Sequence, residues 1–166
     1  HKWLCAPFGT GMLYIRKERI KDIWPLLASP EDQIDNIRKF ENIGTRSFAI
    51  EQAIGSAIDF HNAIGAARKE ARLKYLKQYW VDQVKDVDKV KFYTSTNPDH
   101  SGALFNFGIE GMDAGPVHNS LFGTHKIHTS PIKWEKVNGP RITPHVYTKK
   151  YDLERLVEAI NVVAKK

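Results

Sequence analysis

Residues 1–65 contain too few regular elements to bury a hydrophobic core of their own, and this limits the fold more than any other feature of the chain. The segment GTGMLYIR (9–16) is typical of a single strand, because apolar side chains alternate along it before the charge. Residues 24–45, rich in proline and aspartate, predict an irregular connection. Since an isolated strand leaves its backbone edge unpaired, it must pair with a C-terminal sheet or belong to a larger domain beyond this sequence, and we favour the larger domain.

A long amphipathic helix is predicted directly after this connection. From Phe48 the apolar residues recur with a helical period, and Gly65 interrupts the pattern. Ser47 and Thr45 both carry a hydroxyl suited to cap the N-terminus of this helix. Its apolar stripe consists of Ile50, Ala53, Ile54, Ala57, Ile58, His61 and Ile64.

Residues 66–166 instead predict a compact α/β unit in which helices cover a small sheet. Helices are expected over 66–85, near 114–122 and at the C-terminus, where Asp152 is the predicted N-cap. Extended segments are expected at 90–95, 102–109, 126–136 and 141–148, with NGP (138–140) as a turn. The first of these helices is expected to face the core with Leu73, Leu76, Val84 and either Tyr79 or Trp80. The sequence thus predicts two domains, 1–65 and 66–166.

Composition excludes several classes of partner. Although the net charge is +6, the basic residues are scattered, and their densest cluster, ARKEARLKYLKQYW, follows one predicted helix as a solvated stripe. We therefore expect no nucleic-acid partner. No apolar run approaches the roughly 20 residues that cross a bilayer, so no membrane association is expected. The single cysteine, Cys5, excludes an internal disulfide and a four-thiolate zinc site, and it fits a reducing, cytoplasmic location.

The histidines and the cysteine do not predict a metal site. His125 and His128 are three residues apart, and in an extended segment this spacing places them on opposite faces. Cys5 is interpreted as a small packing residue.

Four segments of the chain carry motifs that occur together in a fixed order. HKWL at 1–4 is followed by P-x-G-T-G and a predicted strand that ends in arginine, and after it come GTR at 44–46, PRITPHVY at 140–147 and the terminal DLERLVEAI. Together they resemble the class V aminotransferase family, the fold-type I enzymes that use pyridoxal phosphate, and HKWL is similar to the family's lysine loop. The resemblance covers essentially the whole chain, but only the C-terminal portion of such an enzyme.

The resemblance implies the end of the large domain of a fold-type I enzyme, with a strand and a long connecting helix, followed by a small C-terminal α/β sandwich domain. It also implies that Lys2 joins covalently to the cofactor and that His1 contacts the cofactor phosphate. Such a lysine needs a neutral amine, whereas the ordinary lysine pKa is about 10.4. Burial and neighbouring cations lower this pKa and so favour the neutral form. Trp3 and Leu4 are candidates for an apolar wall beside it. Without the motif, Lys2 would be interpreted as a solvated lysine.

Gly44 and Thr45 precede the predicted helix, where free backbone N–H groups and the helix dipole attract anions. In the family the matching threonine reaches across a dimer interface to the cofactor phosphate of the neighbouring subunit. This implies a homodimer whose active site is shared between subunits. A plain N-cap is the alternative for Thr45. Arg46 completes a GTR triplet similar to that of the isopenicillin-N-epimerase-like branch, and its guanidinium has no predicted role.

Arg141 begins the last extended segment, where the family places an arginine that holds the substrate carboxylate. A guanidinium suits this task because it can donate two parallel hydrogen bonds to a carboxylate. The alternative is a surface salt bridge. The cysteine desulfurases of the family carry a nucleophilic cysteine near this arginine, and its absence here argues against persulfide sulfur transfer.

The sequence therefore predicts a pyridoxal-phosphate-dependent enzyme of the aminotransferase class V type, acting at the α-carbon of an amino acid or keto acid substrate. Epimerase and lyase reactions use the same residues and stay open as alternatives. The family's acidic partner of the pyridine nitrogen and its ring-stacking aromatic both precede the lysine, so this sequence holds no candidate for either. An alternative of another class is that 66–166 form a non-catalytic binding or dimerisation module.

Overall fold

The computed structural model describes residues 1–166, apart from the side chain of Glu31. It divides the chain into two compact units, His1–Ala63 and Ile64–Lys166. The first contains short 3₁₀ helices and most of one long helix, whereas the second contains a four-stranded sheet with three helices. The assignment of residues 1–65 to a larger domain stays a prediction.

The long helix α1 (Phe48–Ile64) confirms the predicted helical stripe of the first unit. Ser47 caps it, because the Ser47 Oγ accepts a hydrogen bond from the Ile50 N–H at 3.4 Å. Along the stripe Ala57 is buried, whereas Ile50 and Ile58 are 38% and 36% exposed. The apolar face of α1 is therefore only partly covered by the residues that the structure describes.

A buried lysine holds the irregular part of the first unit together. The 3₁₀ helices span Lys17–Asp22, Glu31–Gln33 and Ile37–Glu41. Lys39, in the last of them, is only 3% exposed. Its Nζ donates to the Ile20 carbonyl and, at 2.8 Å, to the Ile34 carbonyl. Because an unbonded buried ammonium is very costly, these bonds fix the three short helices around the lysine.

The strand predicted at 9–16 is wrong, since residues 10–16 have no regular structure. An extended segment becomes a strand only when a neighbour accepts and donates its backbone hydrogen bonds. Within the described first unit, no segment pairs with residues 10–16 in this way. Met12, Leu13 and Tyr14 are consequently more than half exposed.

Four antiparallel strands form the sheet of the second unit, in the order β1–β2–β4–β3. The strands are β1 (Val90–Phe92), β2 (Phe105–Ile109), β3 (Ser130–Trp134) and β4 (Val137–Ile142). In their register, Asn106 of β2 lies opposite Arg141 of β4, which in turn lies opposite Ser130 of β3. These three residues therefore form one row across the sheet.

The core lies between the sheet and three helices, α2 (Ala66–Val84), α3 (Ala114–His125) and α4 (Lys150–Ala164). Trp80 of α2 meets the rings of Phe105 and Phe107 edge-on, with centroids 5.5 and 5.8 Å apart. The predicted core residues Leu73, Leu76 and Val84 are buried, and Trp80 rather than Tyr79 is the fully buried aromatic. Because side chains alternate along a strand, Asn106 points away from this core to the opposite face of the sheet.

The turn predicted at NGP is wrong. Asn138, Gly139 and Pro140 lie inside β4, and the chain turns instead at Glu135, where φ is +50°. Asn138 is committed to the fold, because its Oδ1 accepts the Ala114 N–H at 2.9 Å and so joins β4 to the start of α3. The extended segment predicted at 141–148 accordingly ends at Ile142.

Asp152 is not the N-cap of the last helix, as predicted, but lies at its third position. There its carboxylate accepts the N–H of the N-cap residue Lys149 at 3.0 Å, and the Asp152 N–H donates to the Lys149 backbone carbonyl at 3.1 Å. The acidic side chain still satisfies a free backbone donor at the helix start. The predicted helix is therefore confirmed, whereas its predicted N-cap is wrong.

A second buried lysine anchors the loop between β1 and β2. Lys77 is 1% exposed, and its Nζ donates to the Ser101 Oγ at 2.7 Å. The Ser101 hydroxyl in turn donates to the Asn97 carbonyl at 3.0 Å. Burial, and secondarily the positive charge of Lys74, lowers the pKa of the Lys77 amine. The loop is thus tied to α2 by an amine whose charged form is disfavoured.

We expect wild-type stability to rise relative to Lys77→Met as the pH increases from neutral toward about 10.4. Since the pKa of Lys77 is lowered by folding, the unfolded chain binds more protons than the folded protein between the two pKa values. Stability therefore rises with pH in that window. Urea unfolding across this range measures the difference, with Lys136→Met, in an exposed turn, as the control. Identical pH slopes for wild type and Lys77→Met would contradict the expectation.

Candidate functional site

Lys2 lies in a hydrogen-bonded turn formed by residues 1–6. The Cys5 N–H donates to the Lys2 carbonyl at 3.2 Å, and the Ala6 N–H donates to the His1 carbonyl at 3.0 Å. The turn leaves the side chains of His1 and Lys2 exposed. Cys5 is exposed as well, so its interpretation as a packing residue is wrong. It occupies the left-handed corner of the turn, with φ at +64°, rather than a place in a core.

An apolar wall lies beside this turn. The Trp3 ring contacts the His61 ring of α1, with centroids 5.1 Å apart. A cavity of about 230 Å³ is lined by His1, Trp3, Leu4, Ala6, Thr10, Gly11, Met12 and Ile54. The structure therefore brings His1, Trp3 and Leu4 to one cavity, while Lys2 shares their turn without lining it.

Thr45 lies in an exposed bend before α1, between Gly44 and Arg46. Gly44 has a φ of +80°, a conformation that glycine adopts without strain. Because Ser47 caps α1, the interpretation of Thr45 as a plain N-cap is wrong. Arg46 pairs with the Glu51 carboxylate and donates to the Glu41 carbonyl at 3.3 Å, so its guanidinium fixes this bend to the first turn of α1.

Arg141 is half-buried in β4 of the second unit, whereas His1, Lys2 and Thr45 belong to the first. Its Nη2 donates a long hydrogen bond of 3.4 Å to the Ser130 Oγ. Among the described residues it takes part in no ion pair, so the structure does not support the salt-bridge alternative. A guanidinium with no carboxylate partner of its own is suited to bind one from a ligand.

A family model for class-V aminotransferases matches residues 1–131, about four-fifths of the chain. The chain belongs to the class-V aminotransferase family. The matched stretch includes His1, Lys2 and Thr45, and Arg141 lies beyond it. In the part of this class-V chain that the structure describes, helices are too short or too polar to cross a membrane.

Two curated relatives align with nearly all of the chain. Isopenicillin N epimerase of Amycolatopsis lactamdurans is 27% identical over an alignment of 183 residues, gaps included. The alignment covers 99% of this chain and 46% of that protein. A probable cysteine desulfurase of Streptomyces coelicolor is 26% identical, and the alignment covers 98% of this chain and 43% of that protein. The class-V chain thus spans less than half the length of these relatives.

Solved structures show the same fold. The cysteine desulfurase CsdA of Escherichia coli superimposes with a TM-score of 0.76 at 16% identity, covering 98% of this chain and 44% of that one. The cystine C–S lyase C-DES, bound to its product cysteine persulfide, gives the same TM-score and identity over 97% of this chain and 44% of its own. The expected fold, a part of the fold-type I architecture, is therefore confirmed.

Sequence reasoning missed Asn106 and Ser130, which flank Arg141 in the row across the sheet. Asn106 interrupts the apolar run LFNFGI, and its 7% exposure marks it as a buried polar residue. A polar residue within such a run is the one signal that could have found it. Its position next to Arg141 depends on the strand register, which the sequence does not show.

Proposed function

We propose that the protein carrying this chain is a pyridoxal-phosphate-dependent enzyme that acts at the α-carbon of an amino acid. The strongest support is the exposed amine of Lys2, next to His1, in a turn within the stretch that the family model matches. The cofactor is also supported by C-DES, since one of its variants carries glycine covalently linked to pyridoxal phosphate.

The side chains of residues 1–6 fit one side of this cofactor. Among the described residues, the Lys2 Nζ has no hydrogen-bond or ion-pair partner, so this amine is available to an aldehyde carbon. The His1 imidazole can donate to a phosphate oxygen, and Trp3 and Leu4 line the adjoining cavity with apolar surface. When bound, pyridoxal phosphate supplies a ring that stabilises negative charge at the substrate's α-carbon.

In this proposal Lys2 moves the proton at the α-carbon, because a lysine amine in its neutral form is a general base. Arg141 binds the α-carboxylate, and its half-buried position strengthens that pairing relative to bulk water. Thr45 donates its hydroxyl to the cofactor phosphate of a second subunit. The active form is accordingly a homodimer in which each site takes residues from both chains.

We propose amino-group transfer as the reaction, with epimerisation or elimination as alternatives. The similarity to the isopenicillin N epimerase of Amycolatopsis lactamdurans favours epimerisation among these. Persulfide chemistry has no support, because Cys5 is the only thiol of the chain and it lies in the turn with Lys2 rather than near Arg141. A panel of L-amino acids, each incubated in D₂O, separates the three reactions. Amino-group transfer forms a keto acid with the β-substituent retained, epimerisation causes loss of optical rotation, and elimination releases the β-substituent.

The proposed function is tested by reduction with sodium borohydride followed by peptide mapping. We expect visible absorbance from bound cofactor before reduction and a pyridoxyl group on Lys2 after it. Mapping the adduct to another lysine would contradict the role of Lys2. A protein without either signal would contradict the enzyme proposal and favour a non-catalytic binding or dimerisation module.

Arg141→Lys is expected to raise the KM for amino acid substrates at least about tenfold, with a smaller change in kcat. Lysine keeps the positive charge but loses the planar pair of donors, and hydrogen bonds to charged groups contribute about 1.5–3 kcal/mol. Steady-state kinetics measures the split between KM and kcat. Arg38→Lys, in an exposed ion pair with Glu41, is the matched control. An unchanged KM in the Arg141 variant would remove Arg141 from the substrate site.

A further inference from the structure

Two buried polar atoms, on residues that are paired across two strands of the sheet, lack hydrogen-bond partners within the described chain. They are the Oδ1 of Asn106, an acceptor, and the Nε of Arg141, a donor. A buried polar atom left without a partner costs roughly 1–3 kcal/mol. Such atoms are rare in folded proteins, so an acceptor and a donor orphaned on paired residues need an explanation.

The strand register brings the two residues together. Asn106 and Arg141 are direct cross-strand partners of β2 and β4. Directly opposite residues of an antiparallel pair have Cβ atoms about 4.5–5.5 Å apart, and their side chains share one face. The Oδ1 and the Nε therefore lie on the same face of the sheet, at neighbouring positions.

The remaining polar groups of Asn106 are all used by the fold. Its Nδ2 donates to the Gly139 carbonyl at 2.8 Å, and its backbone N–H donates to the Thr94 Oγ1 at 2.9 Å. The Asn106 carbonyl accepts the Tyr93 N–H at 3.0 Å. The bond from Nδ2 fixes the side-chain amide, the other two fix the backbone, and Oδ1 is the one uncommitted polar atom of Asn106.

The guanidinium of Arg141 is held much less firmly. Its Nη2 donates a long hydrogen bond of 3.4 Å to the Ser130 Oγ, on the side away from Asn106. A planar guanidinium has donors along its Nε edge and at its Nη end, and only one of these directions can face a given carboxylate. The Asn106 Oδ1 is a fixed acceptor, and the Nε–H of the loosely held Arg141 guanidinium is a donor, so the two groups are complementary.

We propose that Asn106 is a positioning residue for Arg141, whose Nε–H donates to the Asn106 Oδ1 when a substrate carboxylate binds. With Nε engaged, the two Nη groups are aimed at the carboxylate and bind it end-on. Both orphaned atoms are then satisfied in the bound state. The inference rests on the proposed function, in which Arg141 binds the α-carboxylate.

The test compares L-alanine with L-alaninamide, which lacks the carboxylate, on the cofactor-loaded protein. Binding is measured from the change in visible absorbance. In Asn106→Leu, which removes the Oδ1 acceptor and also the Nδ2 donor to the Gly139 carbonyl, we expect L-alanine to bind about tenfold more weakly and L-alaninamide to change less than twofold. The control is Thr94→Val, which removes the acceptor of the Asn106 backbone N–H without touching Arg141. It is expected to leave the ratio of the two affinities unchanged.

A second readout follows the Arg141 Nε–H directly by NMR, with the signal assigned through its loss in Arg141→Lys. L-Alanine is expected to shift this signal in the wild type but not in Asn106→Leu. Equal weakening of both ligands, or the same effect in Thr94→Val, would show a merely structural role and overturn the inference. If Arg141→Lys weakens the binding of L-alanine and Asn106→Leu does not, the inference fails while the proposed function stands. If Arg141→Lys has no effect on the binding of L-alanine, Arg141 does not bind the carboxylate, and the part of the proposed function on which the inference rests fails.

Discussion

Lys2→Ala is expected to lower the turnover of amino acid substrates at least about a thousandfold, the largest loss of activity among the changes considered. The substitution removes both the covalent attachment of the cofactor and the base that moves the α-proton. No other side chain of the His1–Ala6 turn has an amine, so the covalent attachment cannot pass to a neighbour. Single-turnover kinetics with saturating pyridoxal phosphate measures the chemical step separately from loss of cofactor.

The fold should be unaffected by this change. Lys2 is exposed and lies outside the cavity-lining set, so the free energy of unfolding is expected to stay within about 0.5 kcal/mol of the wild type. Lys17→Ala, which removes another exposed lysine of the same unit, is the control and should keep full activity. Added methylamine is expected to restore part of the activity in Lys2→Ala only. Activity of Lys2→Ala within tenfold of the wild type would contradict the role of Lys2.

Local periodicity was enough to predict the helices, and the reason is physical. Helical hydrogen bonds close within one segment, so the stripe from Leu73 to Val84 carries all the information that α2 needs. Strands differ because their bonds close with another segment. The sequence at 9–16 alternates as a strand should, yet within the described chain it has no partner and stays irregular.

The turn prediction at NGP was wrong for a related reason. Glycine and proline are typical of turns, but Gly139 is needed where β4 approaches β2 too closely for a side chain. The motif residues of the candidate site were likewise identified from the sequence, since a resemblance transfers residue types. The surroundings of Arg141 were not, because Asn106 and Ser130 reach it through a register that only the paired strands define.

Gly139→Ala is expected to destabilise the second unit by about 4 kcal/mol or more, or to prevent its folding. A Cβ at this position would lie 1.8 Å from the Phe107 carbonyl oxygen and 2.5 Å from its carbon. Both atoms belong to the backbone of β2, so no side-chain rotation relieves the clash and the two strands must move apart. That movement would also break the bond from the Asn106 Nδ2 to the Gly139 carbonyl.

Gly123→Ala is the matched control, because nothing lies within 4 Å of a Cβ at this exposed position of α3. Alanine there is expected to stabilise the protein by about 0.5–1 kcal/mol, since glycine is unfavourable inside a helix. Urea unfolding measures both variants, and hydrogen exchange locates the change. Loss of protection in Gly139→Ala should begin at the amides of β2 and β4. If instead Gly139→Ala unfolds within 1 kcal/mol of the wild type, the close approach of these strands, and with it the pairing of Asn106 with Arg141, cannot be as described.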